Sequence, residues 1–374
     1  MAEPLPEPDR IEGAPHPRET ARLYGHAAAE AAFLQAFSTG RLHHAWMITG
    51  PKGTGKATLA WRLARFLLAT PADDGGMFAA PPPASLDIAG THPVARRLLQ
   101  LAEPRLFLLR RAANDKETAL SQVISVDEVR RMKSFFALSA ADGGRRVAII
   151  DSLDELNTAA ANALLKLLEE PPARVTLLLV AHQPARLLPT IRSRCRELRL
   201  APLGPDDLAA ALIAAGGTVT PGEAQSLAQL SAGSVGEAFR LTNLDGLNLY
   251  AALIRLFATL PRLDRPQALA LADRAAGKAA AETFDLLVTL IDLFLARLAR
   301  TGALCHPPPE AAAQEGPLLA RLSPSPLAGR AWADLAQSLS ARARRGRAVN
   351  LDPAALLMDM LLQIDDTAGT LANR

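Results

Sequence analysis

Cysteine is almost missing from this chain: Cys195 and Cys305 are the two it has in 374 residues. Two thiols cannot build a disulfide framework or a four-thiolate zinc site. Aromatic residues are also scarce, at 4%, so Ala and Leu must fill the core, which favours helix-rich packing. No charge-free apolar run is long enough to cross a membrane. Residues 1–17 are rich in Pro and Glu and lack the apolar stretch of a signal peptide, which reads as a disordered extension. Neither sign of charge dominates, with 41 Lys and Arg against 38 Asp and Glu. Composition alone therefore gives no case for nucleic-acid binding. These absences leave a cytoplasmic globular protein. Its length calls for two or three domains, and 49% hydrophobic residues suffice for packed cores.

What is present begins with Gly50-Pro51-Lys52-Gly53-Thr54-Gly55-Lys56-Ala57. This fits the phosphate-loop pattern G-x-x-x-x-G-K and then departs from it. The next position should be Ser or Thr, whose hydroxyl holds Mg²⁺ beside a nucleotide. Ala57 has no oxygen, and Thr58 is rotated about 100° around a helix axis from that position. The context is that of a real phosphate loop: the apolar run Ala45–Thr49 reads as a buried strand and 56–69 as a helix. Backbone N–H groups from Gly53 to Lys56 can still cradle phosphate. The bland alternative is a tight glycine turn with an exposed Lys.

Further strands are expected at 106–109, 147–150, 175–180 and 196–200, with Asp151 at the carboxyl end of the third. Ligands bind at that edge of open parallel sheets. Ser125 and Glu128 form a capping-box pattern that starts a helix, and 156–170 reads as a helix stopped by Pro171-Pro172. Residues 70–104 read as an insertion or surface loop. Strands alternating with helices predict an α/β domain with a parallel sheet. Strand signals end near 202. Three short helices follow to about 244, with Thr220-Pro221-Gly222-Glu223 as one start, and longer amphipathic helices run from 245. Residues 301–326 read as a long loop. The expected division is a disordered extension over 1–17, an α/β domain over 18–202, a small helical domain over 203–244 and a helical region over 245–374.

Four segments occur in a telling order: Gly50–Lys56, Ile149-Ile150-Asp151, the run from Asn162 through Lys166 and Glu169 to Pro172, and Leu188-Pro189-Thr190-Ile191-Arg192-Ser193-Arg194-Cys195. Together they resemble the AAA+ clamp-loader subunits of bacterial DNA polymerase III. The resemblance is strong over the first 200 residues and one of layout beyond them. It implies a RecA-like AAA+ domain, a helical lid and an all-α collar through which subunits oligomerise. It also implies partners: gamma/tau motor subunits, a delta subunit, the sliding clamp, and primed DNA reached through the assembled complex, with no membrane.

The family has a motor kind that hydrolyses ATP and a kind whose nucleotide site is degraded. The resemblance gives Asp151 the metal-binding part of a Walker B strand. The motor kind has Glu next, to position the attacking water, whereas this chain has Ser152. The lid should supply an arginine from a Gly-Ser-x-Arg motif, and this chain has Gly233-Ser234-Val235-Gly236. The sensor position after the fourth strand falls at His182 or its neighbours. Several catalytic parts are missing together, so ATP or ADP is expected to be held weakly at Gly50, Gly53, Thr54, Gly55, Lys56, Ala57 and Thr58, if at all. Arg194 carries the expected activity: in the family this arginine reaches across a subunit interface to the neighbour's γ-phosphate, a task that suits a planar, charge-spreading guanidinium. Without the resemblance it would read as one surface charge among Arg192 and Arg196. Cys195 reads as a small packed residue. Some family members carry a four-cysteine zinc module in the segment matching 70–104, which has no Cys here, so no zinc is expected; His92, His43 and His44 read as local features. Two other readings compete: an active motor ATPase, and a DNA-binding adaptor with no part in ATP chemistry.

Overall fold

In the computed structural model of the chain, residues 7–11, 13–70, 83–113, 119–137, 144–276 and 280–373 are described. They form two compact units: Met1–Thr218 with Ser234–Gly236, and Val219–Gly233 with Glu237–Arg374.

The first unit contains α1 (Ala27–Ser38), β1 (Ala45–Thr49), α2 (Lys56–Ala69), α3 (Pro93–Leu99), β2 (Leu106–Leu109), α4 (Val126–Ala137), β3 (Arg146–Ile150), α5 (Thr158–Glu169), β4 (Val175–Ala181), α6 (Pro189–Arg192), β5 (Arg196–Arg199) and α7 (Pro205–Ala214). The five strands form one parallel sheet in the order β2-β3-β4-β1-β5. Side chains alternate across it, as pleating requires. Trp46, Ile48, Val147, Ile149, Leu178 and Val180 enter the core that α2 covers. Ala45, Met47, Ala148, Ile150, Leu177 and Leu179 enter the opposite core with α4 and α5 residues such as Met132 and Leu164. A sheet buried on both faces explains why its inner strands are continuous apolar runs. The α/β fold expected from the sequence is therefore the fold observed.

Several boundaries differ. The expected loop over 70–104 contains α3, whose first turn is capped by His92 through the Val94 N–H; residues 71–82 lie outside the described residues. The expected disorder over 1–17 does not hold for residues 7–11 and 13–17, where His16 is fully buried, edge-on to Trp61 and beside Asp9 and Glu7. A Pro- and Glu-rich composition predicts disorder because it has little to bury, but these carboxylates meet arginines of the folded unit. The expected boundary at 202/203 moves to 218, because α7 joins the first unit, and the helices expected to form one small domain over 203–244 are divided between the two.

The second unit is helical: α8 (Pro221–Leu230), α9 (Val235–Asn243, beyond its first two residues), α10 (Gly246–Phe257), α11 (Arg265–Asp273), α12 (Ala281–Leu304), α13 (Glu315–Leu322), α14 (Pro326–Ala348) and α15 (Pro353–Ala372). The capping box at Thr220 and Glu223 forms as the sequence predicts. The loop expected over 301–326 instead contains the end of α12 and all of α13. Glu315, wholly buried, sets α13 in place. Its carboxylate accepts from Tyr250 Oη at 2.6 Å, Arg297 Nε at 2.5 Å and the Ala311 N–H at 2.6 Å. The arginines near the end of α14 serve the same unit: Arg342 pairs with Asp359 of α15 and Arg347 with Asp285 of α12. Among the described residues no helix is long and apolar enough to cross a membrane.

Removing one partner of a buried ion pair strands the other charge. Arg297→Met is therefore expected to cost about 3–5 kcal/mol of stability in urea unfolding, and adding Glu315→Leu should restore only part of it, because Tyr250 Oη and the Ala311 N–H then lose their acceptor. A loss below about 1 kcal/mol for the single change would show that this pair does not order α13.

Candidate functional site

β1 delivers the chain to the carboxyl edge of the sheet, and the phosphate loop turns there into α2. Gly53 has φ +78°, and a Cβ on it would lie 2.2 Å from Ser234 Oγ, so only glycine fits. The Thr54 hydroxyl donates to Pro51 O at 2.9 Å, and His26 Nε2 lies 2.9 Å from Thr54 O, which fixes the loop from inside. Lys56 is buried, and its ammonium donates to Gly50 O at 2.8 Å and to Pro51 O. Burial lowers its pKa to about 8, against the attraction of Asp151 and Asp154. Gly50, Gly53, Thr54, Gly55 and Lys56 thus lie together between β1 and the start of α2. Ala57 and Thr58 are half-buried in the first turn of α2.

Asp151 follows β3. Burial raises its pKa to about 7, helped by repulsion from Asp9 and Glu155 and opposed by Lys56 and Arg110. Ser152 is buried, and its hydroxyl has no hydrogen-bond partner among the described residues. Glu155, the nearest other acid in sequence, is engaged elsewhere, with its carboxylate 3.1 Å from Arg111 Nε. His182 follows β4, and burial and then the charge of Lys56 depress its pKa to about 4, so the ring is neutral at pH 7. Its position is set by Asp154, which accepts from the backbone N–H of His182 at 2.5 Å and of Gln183 at 2.8 Å. Sequence reasoning missed Asp154, whose partners lie 28 and 29 residues away. The structure thus gathers Lys56, Asp151 and His182 at one edge.

Ser234–Gly236, part of the same compact unit, lies against the same loop. Gly53 O accepts from the N–H groups of Val235 at 2.9 Å and Gly236 at 3.4 Å. A Cβ on Gly236 would meet Ile11 Cδ1 at 2.6 Å. Magnesium-bound nucleotide needs an oxygen at position 57, an ionised Asp151, and a lysine and loop free to face phosphate. Here position 57 has none, Ser152 follows Asp151, and Lys56 Nζ donates to loop carbonyls.

Arg194 is not part of this cluster. It precedes β5, so in a parallel sheet it stands at the amino edge, about 13 Å of strand away from the edge with the loop. Its guanidinium donates to Thr190 O at 2.9 Å and pairs with Glu169 Oε1, at the end of α5, at 2.9 Å. Its side chain stays 35% exposed. Arg192 is exposed, and Arg196 lies over the Trp46 ring. The Cys195 thiol is half-buried and pushed up to about 12, which makes it unreactive. His43 and His44 stack on each other before β1, His44 lying 3.0 Å from Leu168 O.

A carboxyl whose folded pKa of about 7 exceeds its ordinary 3.8 favours the folded state when protonated. That contribution is complete below pH 3.8 and is lost as pH rises through 7. Asp151→Asn should therefore gain stability over the natural chain between pH 4 and 7.5, with a slope of at most about 1.4 kcal/mol per pH unit. Parallel chemical unfolding at both pH values checks this, and a constant difference would contradict it.

Residues 25–204 match the protein family described as DNA polymerase III, delta subunit. The chain is 40% identical over 152 residues to the DNA polymerase III subunit delta' of Pseudomonas aeruginosa, covering 41% of each protein. It is 32% identical over 225 residues to that of Escherichia coli, covering 60% of this chain and 62% of the relative. A DNA polymerase III subunit tau of Salmonella typhimurium is 30% identical over 192 residues, covering 51% of this chain and 27% of the relative. The chain thus spans about two fifths to three fifths of the length of these delta-prime relatives. Over residues 25–204 the chain is thus similar to the delta and delta-prime subunits of DNA polymerase III.

Proposed function

We propose that this chain is a delta-prime-type clamp-loader subunit that hydrolyses no ATP and donates Arg194 to the site of a neighbouring motor subunit. Its partners are the gamma/tau motors and the delta subunit. Together they place the sliding clamp on primed DNA, and DNA is met as phosphate within the assembled ring. ATP or ADP is held weakly or not at all, and no zinc is carried. The observation that supports this reading best is the joint state of the nucleotide site. Ala57 offers no metal ligand, Ser152 no carboxylate base and Gly236 no arginine, while Lys56 Nζ is satisfied by Gly50 O. Arg194, at the other edge of the sheet, cannot serve its own loop. It is half-exposed and held by Glu169 and Thr190 O, which suits use by another subunit.

The second reading is an active motor of the gamma/tau kind. Its support is the 30% identity to a tau subunit together with Lys56 and Asp151. It requires a metal ligand other than residue 57 and a base other than Ser152.

The two readings separate in the ATPase of the assembled loader, measured with DNA and clamp. The chain alone should show no turnover. Arg194→Ala in the full assembly should reduce hydrolysis at the one site it completes by on the order of 10³-fold or more, with the assembly intact by size-exclusion chromatography. Turnover by the chain alone would establish the motor reading. An unchanged rate with Arg194→Ala would remove the finger and favour an adaptor without a role in ATP chemistry.

A further inference from the structure

The segment Glu7–Ile11 converges on the phosphate loop from several directions. Arg110, at the carboxyl end of β2, holds Asp9 Oδ1 at 2.6 Å and Glu7 Oε1 at 3.0 Å. Glu7 also accepts from Arg18 at 2.6 Å, and Asp9 lies 3.1 Å from His16 Nε2. The Asp9 side chain is only 4% exposed and close enough to Asp151 to raise its pKa. Ile11 Cδ1 stands where a side chain on Gly236 would be, against the loop at Gly53. Residues 16–23 anchor the segment. Arg65 donates to Arg18 O, Arg62 to Ala21 O, and Leu23 lies against Gly55. Two backbone acceptors of α2's arginines thus come from the segment leading into α1, while Arg62 also pairs with Glu30 and Asp87.

We propose that Arg110 and the gap between Gly53 and Gly236 form a binding site for an anionic and apolar ligand, that the ligand is the chain's own segment Glu7–Ile11, and that a nucleotide phosphate must displace it. Two carboxylates on one guanidinium reproduce what phosphate oxygens offer an arginine. The missing side chain at Gly236 supplies the room for Ile11. A side chain at 236 would have to push the end of Ile11 aside, so the absent arginine of the lid motif leaves room for the seated segment. The inference rests on reading Gly50–Lys56 as a phosphate loop and is independent of any role for Arg194.

A tethered competitor lowers apparent affinity by the fraction of time that it is released, so a segment seated nine-tenths of the time weakens nucleotide about tenfold. The test is titration of the full chain with a fluorescent ATP analogue in two variants. Glu7→Gln with Asp9→Asn removes the charges, and Ile11→Ser removes the apolar contact at a partly exposed position with no change of charge. Both are expected to bind about tenfold more tightly than the natural chain, and Lys56→Ala should abolish the gain. Hydrogen exchange of residues 7–18 reads the reciprocal effect, since competition is mutual: saturating ATP should speed it. Equal affinity in all variants, absence of binding in all of them, or slower exchange with ATP would each overturn the proposal. None of these outcomes bears on the loader assay with Arg194→Ala, so the two readings fail separately.

Discussion

β1 pairs in parallel with β4 on one side and β5 on the other, and all five of its residues are buried. Parallel pairing gives the sheet two unlike edges. Every strand releases its chain at the carboxyl edge, where the phosphate loop, Asp151 and His182 emerge. Every strand is entered from the amino edge, where Arg194, Glu169 and the stacked His43 and His44 lie. No local change could bring Arg194 to Lys56 without reversing a strand. The division of labour proposed for this chain, a quiet nucleotide loop and an arginine directed outward, follows from that direction.

Burial governs the charges at the carboxyl edge. Burial disfavours charge on Lys56, Asp151 and His182 alike. Lys56 is compensated by loop carbonyls and His182 is neutral at pH 7. Asp151 faces Asp9 and Glu155 with only partial relief from Lys56 and Arg110. A site built for magnesium would hold its carboxylate ionised and place a hydroxyl beside it. Here the hydroxyl of Ser152 is buried without a hydrogen-bond partner, and position 57 is a methyl group. The acidic residues of the amino-terminal segment pair with Arg110, a cation near Asp151.

Much of this was legible in the sequence. Period-two burial of apolar runs, glycines before Lys56, and the capping pairs at Ser125 and Thr220 are short-range signals with short-range causes. The loop residues and Arg194 were named from motifs, and the structure separates them as a parallel sheet must. The misreadings share one cause. Residues 7–11 and 13–17, α3 and α13 are polar or proline-flanked segments whose order comes from partners far along the chain. Asp9 meets Arg110, and Glu315 meets Tyr250 and Arg297. Nothing local distinguishes Glu315 from a surface acid.

The sequence by itself determined the fold class, the loop that lacks its metal hydroxyl and the arginine expected to act. The first two rest on apolar runs and neighbouring residues, and the third on the resemblance of a motif to a known family. Only the tertiary structure decided which charges are buried, that Asp154 holds the backbone at His182, that Glu169 steadies Arg194, and that Ile11 occupies the room at Gly236. Those facts depend on distances between residues remote in sequence, and a side chain's charge state and reach are set by what folding places beside it.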